Sequence, residues 1–212
     1  MRHLKGFFSL SLLFIFLISC TEKSEKLPIL GQHDFDTKYQ DGVLETDTIY
    51  YTLPDFKFTD QNGNNFNENN IQGKVYIADF FFTSCPTICP KMSKNMLKMA
   101  QEYRANENVL FLSHSIDTRY DSVPVLKTYS EKLNAPNNWF FVTGEKEDIF
   151  GIAEKYMVSA GEDPHAPSGV VHSGAFILLD GKRRIRAYYD GTKASEMKKL
   201  EKDIEKLLNE KE

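Results

Sequence analysis

One stretch limits the fold more than any other: Val75-Tyr76-Ile77-Ala78-Asp79-Phe80-Phe81-Phe82. It is apolar on both faces except at Asp79. Such a strand has no side to give to water, so it must lie in a sheet covered by helices above and below. The rest of the chain supplies those layers. Further strand-like runs, rich in β-branched and aromatic residues, fall at 49–52, 109–116, 139–142, 175–179 and 185–189. Helical patterns lie between and after them at 90–104, 123–133, 147–156 and 194–208. Asp121 or Ser122 ahead of Pro124 marks a helix start, because proline fits a first turn. Asp180-Gly181 joins the last two strands as a hairpin. Another hairpin, from Leu53-Pro54-Asp55-Phe56 through a turn at Asn62-Gly63, precedes the core as an N-terminal extra. Strand–helix alternation ending in a hairpin and a helix describes one layered α/β domain, with a central mixed sheet flanked by helices.

Composition narrows the function. At 41% hydrophobic and 26% charged, the chain is neither disordered nor a polytopic membrane protein. A net charge of −4 without a basic stripe excludes nucleic acid as a partner. The N-terminus reads as an address. Arg2, His3 and Lys5 precede an apolar run at 6–19 that ends at Cys20. A spanning helix needs about 20 apolar residues, so this shorter run reads as a secretory signal. Leu17-Ile18-Ser19-Cys20 resembles a bacterial lipobox, which makes residues 1–19 a signal peptide and Cys20 a lipidated mature N-terminus. Residues 20–37 then form a lipidated, polar tether, and 38–212 the folded domain. Lipid anchoring outside the cytoplasm leaves Cys85 and Cys89 as the remaining thiols, in an oxidising compartment.

These two cysteines follow the central strand in Thr83-Ser84-Cys85-Pro86-Thr87-Ile88-Cys89-Pro90 and lead into a helix. Four residues apart, they are expected one turn apart on one helix face. The helix N-terminus then favours thiolates, which can exchange with disulfides or bind a soft metal. A purely structural disulfide is disfavoured, because so short a loop removes little unfolded-state entropy. Covalent haem needs C-x-x-C-H, which is absent here. A closed zinc site needs four ligands, and no further cysteine is at hand.

The segment TSCPTICPKM resembles the motif of the Sco/SenC family, whose members are membrane-tethered copper-binding proteins with a thioredoxin-like fold. They serve assembly of the binuclear copper centre of cytochrome c oxidase. Two further segments, SIDTRYDSVPVLKTY and VVHSGAFILLDGKRRIRAYY, extend the likeness over about 53–208. The resemblance implies a thioredoxin-like domain that binds copper, Cu(I) or Cu(II), through Cys85, Cys89 and His172, with Cys85 and Cys89 also able to form a redox-active disulfide. Thiolates suit Cu(I), and an imidazole adds affinity for Cu(II). The implied partners are the copper-site subunit of the oxidase and a thioredoxin-like reductant or another copper carrier. The implied place is the bacterial cell envelope, at the periplasmic face.

Other residues compete for roles. His33 lies in the tether, His114 in an apolar strand as a core residue, and His165 in the 159–169 loop as a rival or accessory ligand. Asp79 is expected either to take a proton from a cysteine or to pair with a lysine; Asp117 either supports the site from behind or caps a turn. Besides the copper carrier stands a thiol–disulfide oxidoreductase that keeps the oxidase cysteines reduced and needs no His172. A peroxidase, suggested by the start at Pro54, gives the second cysteine no purpose.

Overall fold

The computed structural model describes residues 26–166 and 169–210. The expected signal peptide and the lipid site at Cys20 lie outside the described residues. In chain order the elements are β1 (Asp34–Gln40), β2 (Val43–Ile49), β3 (Lys57–Asp60), β4 (Asn65–Asn67), α1 (Glu68–Ile71), β5 (Val75–Phe81) and α2 (Cys89–Glu102). There follow β6 (Val109–Ser115), α3 (Val123–Leu133), β7 (Trp139–Thr143), α4 (Lys146–Lys155), β8 (Ala160–Glu162), β9 (Val170–His172), β10 (Ala175–Leu179), β11 (Ile185–Asp190) and α5 (Ala194–Asn209).

Seven strands form one mixed sheet in the order β11-β10-β5-β6-β7-β3-β4. The run that constrained the fold lies in its interior: every residue of β5 is buried, with β6 parallel on one side and β10 antiparallel on the other. Alternation along β5 splits the core in two. Asp79 and Phe81 face α2, α3 and α5. These three helices are linked by Ser93 Oγ to Tyr129 OH at 2.8 Å and by Tyr103 OH donating to Glu205 at 2.9 Å. Phe80 faces the other way, against Tyr156 at the end of α4 and against His114 of β6. Asp180-Gly181 turns β10 into β11 as expected, with Asp180 Oδ1 accepting the amides of Lys182 and Arg184. The β3–β4 hairpin also forms, its turn held by Asp60 Oδ1 on the amides of Asn62 and Asn64.

The N-terminal part departs from expectation. The run at 49–52 is not a strand beyond Ile49. Instead Val43–Ile49 pairs with Asp34–Gln40 as an exposed hairpin. Tyr51 is drawn to the body, its OH donating to the Lys155 carbonyl and its N–H to His33 Nδ1. Nor are residues 27–37 a free tether. Arg186, 2% exposed, needs acceptors and takes the carbonyls of Leu27 and Pro28, while Leu30 bridges to Ile185. The 159–169 loop contains one side of a second small hairpin, in which Ala160 pairs with His172.

Candidate metal centre

The central strand ends at Phe81, and the chain must then turn into α2 across Pro86. Proline lacks an amide and pushes its predecessor out of helical conformation. The helix therefore starts at Cys89 and leaves Cys85 in the loop, which corrects the expectation that both thiols share one helix face. The loop itself is anchored from below. The buried carboxylate of Asp121 accepts the Thr83 amide at 2.9 Å, the Thr83 hydroxyl at 2.5 Å and the Ser115 hydroxyl at 2.5 Å. Sequence reading took Asp121 only as a marker of a helix start. The signal that could have singled it out is its place just after an apolar strand, near two hydroxyl residues.

The histidine arrives from the far side of the fold. β9 pairs with β8 and ends at His172, which puts its Nε2 3.2 Å from Cys89 Sγ although 83 residues separate them. His172 Nδ1–H donates to its neighbour's carbonyl, Ser173 O, at 2.8 Å. That bond fixes the tautomer and leaves the Nε2 lone pair facing the sulfur. The edge of the Phe82 ring stands against the imidazole, with ring centres 5.9 Å apart. The two sulfurs and Nε2 all lie within 4.8 Å of one another, and among the described residues no other group of ligating side chains gathers in this way.

Electrostatics set the two thiols apart. Burial pushes the Cys85 thiol up, but the Cys89 thiol and the backbone amides of Thr87 and Cys89 outweigh it and hold Cys85 below its ordinary value. Burial, the neighbouring Cys85 and the Asp79 carboxyl push Cys89 far above the thiol range. The expected pair of acidic thiols is therefore one acidic thiol and one that holds its proton. Burial also lowers His172, against the opposing pull of Ser173, so the imidazole is neutral near pH 7. The Cys89 proton thus sits between two acceptors, the Cys85 sulfur and His172 Nε2.

Asp79 does not pair with a lysine. Its carboxyl accepts from Ser113 Oγ, which in turn accepts from Trp139 Nε1 at 2.9 Å. Burial raises Asp79 to about 7, against the lowering effect of Ser113. His114 is fully buried, with Nδ1 bonded to the Asp79 carbonyl and Nε2 unpartnered among the described residues; burial lowers it to about 4. It is a core residue, though satisfied on one nitrogen alone. Asp117 lies in the turn after β6, where its carbonyl accepts the amides of Tyr120 and Asp121. His165 is exposed, on an Asp163 turn outside the three-residue cluster.

Residues 46–209 match the family model described as SCO1/SenC. The SCO1 protein homolog of Bacillus subtilis is 29% identical over 196 residues, spanning 90% of each chain. Among solved structures, a SCO1/SenC family lipoprotein from Bacillus anthracis is 30% identical with a TM-score of 0.68, covering 74% of this chain and 95% of that one. Yeast Sco1 with copper bound is 26% identical with a TM-score of 0.59, covering 73% and 88%. The Sco family is one of cytochrome c oxidase assembly proteins. The shared fold is thioredoxin-like.

Proposed function

The chain belongs to the SCO1/SenC family, and from that premise we propose that it is a membrane-tethered carrier of copper for the copper-site subunit of cytochrome c oxidase. Convergence of Cys85 Sγ, Cys89 Sγ and His172 Nε2 within 4.8 Å supports this reading most directly. Metal–sulfur and metal–nitrogen bonds of roughly 2.3 and 2.0 Å let one ion touch atoms spaced this way after small movements. The donor set fits copper: two thiolates are soft enough for Cu(I), and the imidazole favours Cu(II). Three ligands leave a position open to an incoming acceptor. Copper here is cargo, and binding it displaces the proton held among Cys89, Cys85 and His172. Residues 1–19 are the signal peptide, Cys20 carries the lipid, and the domain stands at the periplasmic face of a membrane. A related structure is that of a lipoprotein, and among the described residues no helix is long and apolar enough to cross a membrane.

The test is titration of the reduced protein with copper, followed by absorption spectroscopy. One ion per chain with thiolate-to-Cu(II) charge-transfer bands is the expected result, and His172→Ala should lose the bands. Equal binding by His172→Ala would refute the three-ligand site.

The contrast between the thiols supports a second reading, a thiol–disulfide oxidoreductase. The Cys85 thiolate would attack a target disulfide, release one target sulfur as a thiol and form a mixed disulfide. Cys89, losing its proton, would then displace the second target sulfur. The target gains two electrons, Cys85 and Cys89 become a disulfide, and a thioredoxin-like reductant restores them. This route does not use His172, so His172→Ala would keep it.

A further inference from the structure

Hairpin β1–β2 stands apart from the metal centre. Every one of its strand residues except Asp36 is exposed. Of the nine large exposed hydrophobic side chains among the described residues, six lie between Phe35 and Tyr50, so the exposed apolar surface is concentrated here. The register sorts the hairpin into two unlike faces, since opposed residues on paired strands share a side. Phe35 opposes Thr48, Thr37 opposes Thr46 and Tyr39 opposes Leu44, which makes one face without a charge. The Thr37 and Thr46 hydroxyls meet across it at 3.4 Å. The reverse face carries Asp34, Asp36, Glu45 and Asp47 with Lys38, which pairs with Asp36 at 2.7 Å, and has apolar side chains only at its two ends, Val43 and Ile49. Phe35, Tyr39 and Leu44 are 68%, 76% and 65% exposed, too open for a core.

The position of the hairpin bears on what covers it. Its base is fixed to the end of the sheet opposite the cysteines: His33 and Tyr50 pack edge to face, and Arg184 lies over Tyr50. Leu27 and Pro28 are tied to the same end by Arg186. The apolar run at 6–19 ends at Cys20, seven residues before Leu27. At no more than ~3.6 Å per residue, that interval reaches at most about 25 Å. Seven-residue strands are also about 23 Å long. The hairpin therefore lies within reach of whatever surface holds the N-terminus.

We propose that the uncharged face of β1–β2, with Phe35, Tyr39 and Leu44, rests on the lipid bilayer and holds the metal centre away from it; this rests on the membrane-tethered reading above. Aromatic and aliphatic side chains on one face with carboxylates on the other suit the bilayer interface. The open strand edges keep the hairpin at headgroup depth, where water satisfies their amides. β5 then points its cysteine end into the aqueous space, where a soluble or membrane-borne acceptor domain meets it.

The full chain, with its native N-terminus, is reconstituted in phosphatidylcholine–phosphatidylglycerol vesicles with brominated acyl chains. Trp139, the single tryptophan, is 1% exposed and gives a constant background. A Tyr39→Trp variant should show a blue shift and quenching by brominated lipid, and Lys38→Trp on the reverse face should show neither. Co-sedimentation with vesicles without quenching of Tyr39→Trp would overturn the proposal and leave the tether intact. Failure to co-sediment would overturn the tether, and the proposal with it. A blue shift that depends on protein concentration and not on lipid would mean that a second copy covers the face, which also overturns it.

Discussion

The two ends of the central sheet treat polar groups in opposite ways. At one end Arg186, 2% exposed, is matched almost donor for donor: Asp180, Glu210 and the carbonyls of Leu27 and Pro28 all accept from it at 2.6–3.0 Å. At the other end Cys85, Cys89 and His172 crowd together, the Cys89 thiol lying 3.2 Å from His172 Nε2 and against the Cys85 sulfur. A matched cluster has no coordination left to offer and can act only as a clamp. An unmatched cluster of soft donors is poised for an ion to complete it. Saturation, more than burial or charge, separates the structural end from the chemical end.

The largest test of that contrast is Arg186→Ala. The guanidinium joins the N-terminal segment, the β10–β11 hairpin and the end of α5. Its removal leaves Glu210 without its counter-charge and Asp180 with Arg184 alone, and breaking a buried pair costs about 3–5 kcal/mol. Denaturant unfolding should show this loss, with copper stoichiometry unchanged in the protein that remains folded. A loss below ~1 kcal/mol would mean that the cluster is not the clamp its geometry indicates.

Asp121→Ala sharpens the comparison from the other end. This carboxylate is built like the Arg186 cluster, with three bonds satisfied, but it serves the open site by holding Thr83 two residues before Cys85. Groups that orient metal ligands typically contribute 10–100-fold in affinity. Copper affinity should fall by about that factor, against a stability loss of roughly 1–3 kcal/mol for the orphaned donors. Asp121→Asn, which keeps one acceptor oxygen, should recover part of the affinity. If affinity stays at the native level, the loop holds its shape without this anchor.

The sequence was legible where a pattern was long or chemically rare. The all-buried β5 announced itself by having no polar face, and α3 fell on 123–133 because proline and a sustained apolar period mark it. Cys85 and Cys89 needed only their spacing. His172 was reached through resemblance, since nothing local marks a three-residue strand whose partner is Ala160–Glu162. Asp121 escaped because Thr83, 38 residues away, meets it only through the fold, and Ser115, six residues before it, is by itself an ordinary neighbour. The β1–β2 hairpin escaped because its alternation, Phe35-Thr37-Tyr39, is broken by charges, which make the stretch up to 37 read as a tether and leave 38–48 without an element. Cys89 was misread because a helix N-terminus favours thiolate, yet burial outweighs that field at this depth.

The effect that the native chain hides lies midway between the two ends, where Asp79 and His114 occupy adjacent strands and face opposite layers. Each is neutral in the folded chain by burial: Asp79 is raised to about 7 and His114 lowered to about 4, from 3.8 and 6.5. Near pH 5 the folded chain carries a proton on Asp79 and none on His114, whereas the unfolded chain does the reverse. The proton counts match, so the two contributions to the pH slope cancel between about pH 4 and 6.5. Removing either group should expose the other. In His114→Phe, the Asp79 contribution is fully present below pH ~4 and is lost as pH rises towards ~7, by about 1.4 kcal/mol per unit. In Asp79→Asn, the His114 contribution is fully present above pH ~6.5 and is lost at a similar slope as pH falls towards ~4. Urea unfolding of the three proteins across this range reads the slopes as differences from the native chain. Variants that run parallel to the native curve would show that water or a counter-charge reaches these groups, and that the middle of the sheet is not the dry layer its burial describes.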